Sequence, residues 1–355
     1  MFILSKNRKL YFLVFIFLLF FLEFASFIFL KFSDLRYQDN IFNNVSIDND
    51  NILGWDYYNG SPRPSVAFTD KKNDDYCGFI FGDSFSHADE VLDQETWGDL
   101  LSKKIDCPIA NFGVGGFGTD QALLKMERII IKKEKNPGSK KKIIFFGVYE
   151  EMLRRNMAAS WLFYCCPEHK KSLKPYFILQ NHDLIKLKKI PEKITLKSVI
   201  EHHKYDRYYP IFTLNFPYSF QIFKNFLTLV KNYLRFNYNF TQAENLTFNN
   251  DQVVIIQNLL MKRAADLALD KGYKIVFVFF PRPIEAYYRN NIYKNFKNNT
   301  LEVFKNNTDI IIIDLLPELG KIKVLKKDQL QASKGHYNAE GNKQISRIIF
   351  DKLNQ

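Results

Sequence analysis

The chain has 355 residues, of which 46% are apolar and 25% are charged. This length and balance are typical of folded proteins with a sizeable core, in one large domain or two modest ones, and they exclude a disordered chain. The formal net charge of +12 would fit nucleic-acid binding if a recognition motif accompanied it, but no RRM, zinc-finger or helix-turn-helix signature does. We therefore expect no nucleic-acid partner.

The N-terminal residues predict a membrane anchor. The basic sequence SKNRK precedes an apolar run from Leu10 to Leu30. About 20 apolar residues span a bilayer, whereas the core of a cleaved secretory signal is about 7–15 residues long. Basic residues on the N-terminal flank place that end in the cytoplasm. We predict a single-pass signal anchor over residues 1–33 in the inner membrane, and a cleaved signal is the alternative.

The anchor places the rest of the chain on the periplasmic or extracellular side. Glu23 is costly within the apolar run, but near its outer end the carboxylate reaches the interface. The cysteines then meet an oxidising compartment, where Cys77 and Cys107 could pair, although their connectivity is not fixed by sequence. Adjacent Cys165 and Cys166 are expected to be structural. Neither the cysteines nor the histidines have metal-site spacing, so no metal is expected.

Beyond the anchor we predict a linker followed by one α/β domain. Residues 34–75 are rich in Asn, Asp and Gly and are interpreted as a linker and an irregular lead-in. The domain covers residues 76–355. Within it, an aromatic and polar region at about 157–250 is interpreted as an insertion or lid, with a hairpin around Asn181–Asp183.

Five short apolar runs alternate with helical patterns in the domain. One helix follows the second run, a long one ends at Gly272, and the last begins near Asn338. Because strands that alternate with helices form parallel sheets, we predict a parallel sheet with helices on both faces. The predicted strands are residues 76–81, 107–114, 141–149, 274–280 and 309–315.

The first predicted strand ends in the sequence CGFIFGDSFSHADE. In a parallel sheet, ligands bind beyond the carboxyl ends of the strands, and Ser84 lies at such an end. Gly82 lets the chain turn sharply there, and a following helix would favour developing negative charge near Ser84. Ser84 is therefore either a nucleophile or the cap of a tight turn.

Two further sequences favour the nucleophile. NFGVGGFGTDQ (Asn111–Gln121) places glycines at the exit of the second strand, where a backbone N–H could approach an oxyanion, although a close-packed turn would also use them. GHYNAEGN (Gly335–Asn342) places His336 just before the final helix. A lone histidine is usually structural, but this position suits a general base.

Taken in this order, the three sequences resemble the SGNH (GDSL) hydrolase family, and in particular its membrane-anchored bacterial members. The likeness covers roughly residues 76–155 and 251–350. It implies a flavodoxin-like three-layer α/β/α fold and serine-dependent ester hydrolysis or acyl transfer, with no cofactor. Matched residue by residue, it implies that Ser84 is the nucleophile, His336 is the general base, and Gly116 is an oxyanion donor together with the Ser84 N–H.

The sequence departs from the family pattern at two places. The third block of the family is typically Gly-x-Asn-Asp, whose Asn is an oxyanion donor, but here it reads GVYE, with Tyr149 in the Asn position. The family's Asp, three residues before the histidine, is replaced by Ser333. Ser84 and His336 would then act as a dyad, or Asp328 or Asp314 would orient the ring.

Three functions are compatible with these residues. The first is an esterase that removes acyl groups from a small molecule or, given its location, from an envelope or extracellular glycan. The second is an O-acyltransferase of envelope polysaccharide that uses the same serine. Alginate-type O-acetyltransferases also carry a GDSF serine, but their Asp-His pair precedes it in the chain, which favours the hydrolase. The third is a binding or scaffold protein that kept the fold and lost the activity.

Overall fold

The structure is a computed structural model of the chain. It describes residues 6–46, 50–68, 76–132, 142–160, 171–181, 184–204, 216–223, 227, 251–283, 298, 304, 309–322 and 329–355. The helices are α1 (Lys6–Asn44), α2 (Ser84–His87), α3 (Trp97–Ile105), α4 (Thr119–Ile130), α5 (Met152–Arg155), α6 (Leu196–His203), α7 (Asp251–Asp270), α8 (Leu315–Leu319) and α9 (Ala339–Leu353). The strands of the central sheet and of a separate hairpin are β1 (Gly78–Phe81), β2 (Ile109–Asn111), β3 (Ile143–Tyr149), β4 (Tyr176–Asn181), β5 (Leu184–Lys188), β6 (Lys274–Phe280) and β7 (Ile310–Asp314).

The five predicted strands form one parallel sheet in the order β2-β1-β3-β6-β7. They are rich in Ile, Val and Phe, and β1, β2 and most of β3 and β6 are buried, as expected of strands covered on both faces. Numbered by their order in the chain, the strands run 2-1-3-4-5, which is the flavodoxin-like order. The predicted α/β fold class is confirmed.

The helices pack in two pairs against this sheet. The last helix, α9, contacts α3, and α7 contacts α4. Thr96 caps α3 by accepting the Asp99 N–H, and Asn338 caps α9 by accepting the Gly341 N–H. Right-handed crossovers place α3 and α4 on opposite faces, because the chain moves outward from β1 in one direction and then returns in the other. The result is the predicted three-layer α/β/α arrangement.

The region predicted to be an insertion contributes an antiparallel hairpin of β4 and β5, which confirms the hairpin expected near Asn181. A buried lysine attaches this region to the central domain. The Lys174 ammonium pairs with the buried carboxylate of Asp120 at the start of α4 and donates to the carbonyls of Arg155 and Ala158. A buried charge is tolerated only with such partners, so this contact fixes where this region lies.

The lead-in also packs onto the domain. Leu53 and Trp55 belong to the hydrophobic core, and the Trp55 indole N–H donates to the Gly115 carbonyl at 3.0 Å. The buried Lys125 of α4 pairs with Asp56 at 2.8 Å. Residues 50–68 therefore cover part of the domain and approach the glycine-rich loop after β2.

A disulfide joins Cys77 and Cys107, whose Cα atoms are 6.1 Å apart. The two residues precede the neighbouring strands β1 and β2, so the bond ties the starts of these strands together. Cys165 and Cys166 lie outside the described residues. A disulfide fits an oxidising compartment.

Candidate active site

The turn that presents Ser84 is built from the three residues around it. Gly82 follows β1 with φ of 148°, and a Cβ there would lie 2.0 Å from the Ser86 hydroxyl, so only glycine fits. Asp83 caps α2 by accepting the Phe85 N–H at 3.0 Å. Ser84 is the first residue of α2, directly beyond the carboxyl end of the strand. The sequence prediction for this turn is confirmed.

A buried ion pair connects this turn to the glycine-rich loop. The Arg155 guanidinium of α5 contacts the Asp83 carboxylate at 3.0 Å and donates to the Phe117 carbonyl at 3.0 Å. Burial raises the pKa of Asp83, and the charge of Arg155 opposes that rise. Because one guanidinium holds both segments, it sets their spacing. No sequence signal had linked Arg155 to the site.

The glycine-rich loop, residues 112–118, runs close beside α2. The Val114 N–H donates to the Gly82 carbonyl at 3.1 Å. A Cβ on Gly113 would lie 2.5 Å from the backbone nitrogen of His87. Gly116 has φ of 81°, a left-handed conformation that favours glycine. The loop is buried. Its backbone is thereby brought within reach of the Ser84 turn.

His336 has a carboxylate partner that the sequence analysis missed. Its Nδ1 lies 2.7 Å from Oε2 of Glu90, and its backbone N–H donates to the same oxygen at 3.1 Å. The other oxygen of Glu90 accepts the Lys334 N–H at 2.7 Å and the Ser333 hydroxyl at 3.1 Å. Partial burial acts to raise the pKa of Glu90, but these hydrogen bonds outweigh it and lower that pKa. Glu90 thus holds the whole loop before α9.

The backbone at Glu90 is itself unusual. Its φ is 72°, and that of Ala88 is 63°, a conformation that non-glycine residues adopt at a cost of about 1–3 kcal/mol. Arg63, from the lead-in, donates to the carbonyls of His87, Ala88 and Val91 at 2.7–2.9 Å. Its Nε pairs with Asp93 at 2.7 Å. Strain held in place by several contacts is typical of functional sites.

Ser84 and His336 are brought to the same edge of the sheet. The His336 ring centroid lies 5.2 Å from that of Phe85, the residue after Ser84. No hydrogen bond joins Ser84 to His336 within the described part of the chain. In catalytic sites such hydrogen bonds are often long before substrate binds, so the two residues remain a candidate pair.

A second histidine–carboxylate pair lies in the same helical turn as Ser84. The Nδ1 atom of His87 contacts Asp89, and its buried Nε2 has no hydrogen-bond partner among the described residues. Tyr58 stacks on the His87 ring at 5.8 Å and Tyr57 meets it edge-on at 5.4 Å. The imidazole is packed between these rings, whereas the His336 side chain keeps 21% exposure. The His336 imidazole is therefore the more accessible of the two.

The departures from the family pattern have structural explanations. Tyr149 packs its ring 4.2 Å from that of Phe85 and is buried, so it fills the core beside the Ser84 turn. Glu150 pairs with Arg282 at 2.8 Å. Asp314 caps α8 by accepting the Leu316 N–H, while Glu90 is the carboxylate on His336. Asp328 lies outside the described residues.

No protein-family model matches the chain, and no curated protein matches it. Among solved structures, it is similar to a member of the lipolytic protein G-D-S-L family from Veillonella parvula, at 10% identity and a TM-score of 0.42, over 78% of this chain and 98% of the other. It is likewise similar to a lipase from a goat rumen metagenome, at 10% identity and a TM-score of 0.40, over 78% and 96% of the two chains. The first of these two neighbours is described as a member of the family that the sequence motifs resemble. At this identity they carry no conclusion about activity.

Within the described residues, no group of three or more His, Cys, Asp or Glu side chains is arranged to hold a metal ion.

We predict that Glu90 contributes to stability in a pH-dependent way. Its pKa is lowered below the usual 4.5 in the folded state, so its contribution is present above that value and is lost as the pH falls through the lowered pKa. The free energy of unfolding, measured in urea, should be lower for Glu90→Gln than for the parent at pH 7. This difference should shrink on acidification below pH 4.5. A difference that stays constant with pH would contradict the assignment.

Proposed function

We propose that the protein is a serine-dependent ester hydrolase, with Ser84 as nucleophile, His336 as general base and Glu90 as the carboxylate that positions the base. The observation that carries this proposal is the 2.7 Å contact between Glu90 and His336, at the sheet edge where Ser84 follows β1. Glu90 engages Nδ1, which leaves Nε2 as the nitrogen that can accept a proton. A carboxylate in this position holds the ring in one tautomer and stabilises its charged form.

The proposed reaction has two halves. Nε2 of His336 takes the Ser84 hydroxyl proton as Oγ attacks the acyl carbonyl, and the protonated ring then gives this proton to the departing alcohol. Water, activated by the same nitrogen, then hydrolyses the acyl-serine. The N–H groups of Ser84 and Gly116 are proposed to stabilise the oxyanion. Among the described residues neither N–H has a hydrogen-bond partner, which leaves both able to donate.

The substrate we propose is an O-acylated small molecule or an envelope or extracellular glycan. Tyr57 supports a glycan, because its half-exposed ring lies beside Gly115 of the glycine-rich loop, and amphipathic aromatic rings suit ligands with both apolar and polar faces. Transfer of the acyl group to a sugar hydroxyl would use the same acyl-serine. Acetate release compared with glycan acetylation distinguishes hydrolase from transferase.

We further propose that α1 anchors the protein in the inner membrane, with the body outside the cytoplasm. Residues Arg8–Phe32 of α1 form an apolar stretch of 25 residues, long enough to cross a bilayer. A cleaved signal peptide would pass the same length test. However, Ser26 and Leu30 of this stretch are buried and α1 contacts α6, so removing the helix would expose part of the body. These contacts support an anchor that is retained.

We predict that Ser84→Ala and His336→Ala each reduce kcat/KM for a small activated acetyl ester by at least about 10³-fold, because each removes a partner in the same proton transfer. The double variant should be hardly slower than either single variant, since residues that act as one unit are not additive. Initial-rate kinetics of purified full-length protein measure this.

His87→Gln is the matched control for this experiment. It changes the other histidine that pairs with a carboxylate near Ser84, and we expect it to retain most of the activity. Loss in His87→Gln with retention in His336→Ala would transfer the role of base to His87. Full activity in Ser84→Ala would remove the nucleophile assignment.

We predict that Glu90→Gln lowers kcat by about 10²–10⁴-fold, because the amide no longer stabilises the charged imidazole. Glu90→Asp should retain part of the activity through its carboxylate. Ser333→Asp should slow the enzyme, because it adds a second carboxylate to the residue whose hydroxyl now lies 3.1 Å from Glu90. A faster Ser333→Asp variant would show instead that Glu90 does not orient His336 effectively in the parent.

We predict that a reporter fused after Gln355 lies on the outer side of the membrane, so that only a reporter that needs export is active there. The basic residues before the apolar stretch favour a cytoplasmic N-terminus, and the Cys77–Cys107 disulfide fits an oxidising compartment. Fusions to alkaline phosphatase, which needs export, and to a fluorescent protein that folds in the cytoplasm measure the orientation. A variant in which Lys6, Arg8 and Lys9 are replaced by Glu is the control. If the fusions of the parent lack phosphatase activity and are fluorescent, the body lies in the cytoplasm and the predicted orientation is wrong.

A further inference from the structure

A short segment of the insertion exposes apolar side chains on one face. Residues 218–223 are helical. Phe216, Phe220, Phe223 and Leu227 are 74%, 64%, 56% and 43% exposed. Phe220 and Phe223, three residues apart within the helical residues, lie on one side of this turn of helix. A contiguous set of large apolar side chains on a surface marks a contact with a partner or a membrane.

This segment is fastened to the predicted anchor helix by Glu23. The Glu23 carboxylate accepts the Tyr218 N–H at 2.6 Å and the Ser219 N–H at 3.3 Å, and it also contacts the Ser219 hydroxyl. The Tyr218 ring lies 5.2 Å from the ring of Phe27, one turn further along α1. The N–H groups at the start of a helix have no partner within it, so a carboxylate is a good match for them.

The position of Glu23 within α1 sets the depth of the segment. Glu23 precedes Phe32, the end of the apolar stretch, by nine residues, or about 13 Å of helix. Phe24 and Phe29 are also exposed on this outer part of α1. The exposed phenylalanines of the segment and those of the helix therefore lie at a similar level along the axis of α1.

We propose that residues 216–223 insert into the outer leaflet of the bilayer beside α1 and give the protein a second membrane contact. The proposal rests on the anchor proposed above. The bilayer is favoured over a protein partner because the apolar face is continuous with a helix whose neighbouring surface would itself be covered by lipid. The contact also explains how a carboxylate is tolerated within the apolar stretch, because the segment supplies hydrogen bonds to Glu23.

Tryptophan fluorescence in vesicles tests the depth of the segment. Full-length protein with Phe220→Trp is reconstituted in phosphatidylcholine vesicles with or without acyl-chain-brominated lipid, which quenches only tryptophans in contact with it. Phe20→Trp in α1 is the positive control, and Ile131→Trp, at the exposed residue directly after α4, is the negative control. The signal of the native tryptophans is removed by subtracting the parent protein in each vesicle.

We expect bromolipid to quench Phe220→Trp to at least half the extent of Phe20→Trp, with no quenching of Ile131→Trp. Quenching of Phe20→Trp alone would overturn the second contact and leave the anchor intact. Absence of quenching at both positions would overturn the anchor, and the second contact with it. Protection of Phe220→Trp from aqueous acrylamide without bromolipid quenching would show that protein, from a second copy or another partner, covers this face, and would also overturn the proposal.

Discussion

The carboxylate of Glu90 accepts hydrogen bonds from Ser333, Lys334 and His336, and the geometry of the candidate site depends on it. Without that carboxylate, three polar groups of the loop before α9 would lose their partner, and the imidazole would lose the contact that orients it. The carboxylate joins the start of the sheet to the end of the chain, across 246 residues of sequence. Its own position is in turn held by Arg63, which fixes the strained backbone between His87 and Val91.

A second set of contacts controls the other half of the site. Arg155 binds both Asp83, which caps the Ser84 helix, and the Phe117 carbonyl of the glycine-rich loop. The Trp97 indole donates to the Phe85 carbonyl, and the Trp97 N–H donates to Asn342 of α9. The turn that carries Ser84 is thus held from both faces of the sheet. Such support would keep the proposed nucleophile, Ser84, near a fixed position, as orientation in catalysis requires.

The proposed membrane contacts would hold the domain that carries the candidate site close to the bilayer. The body contacts α1 through α6 and through the segment bound to Glu23, so it would be held against the bilayer surface with little freedom to move away on a tether. In that arrangement the proposed hydrolase would meet substrates confined to the neighbourhood of the membrane. This geometry is compatible with acylated envelope glycans and with acylated molecules that partition to the surface.

Local sequence patterns were sufficient to predict the strands, the sheet, the Ser84 turn and the position of His336, because alternating apolar runs and helix caps are properties of adjacent residues. They were not sufficient to identify the carboxylate that contacts His336. Glu90 stands in the same short sequence as Ser84, but it is one carboxylate among 38 Asp and Glu residues, and only the folded loops bring it to His336. The same holds for Arg155, Arg63 and the contact of Glu23 with Tyr218. Each is a polar contact between distant segments, decided by backbone turns such as the left-handed Glu90, which leave no periodic signal in the chain.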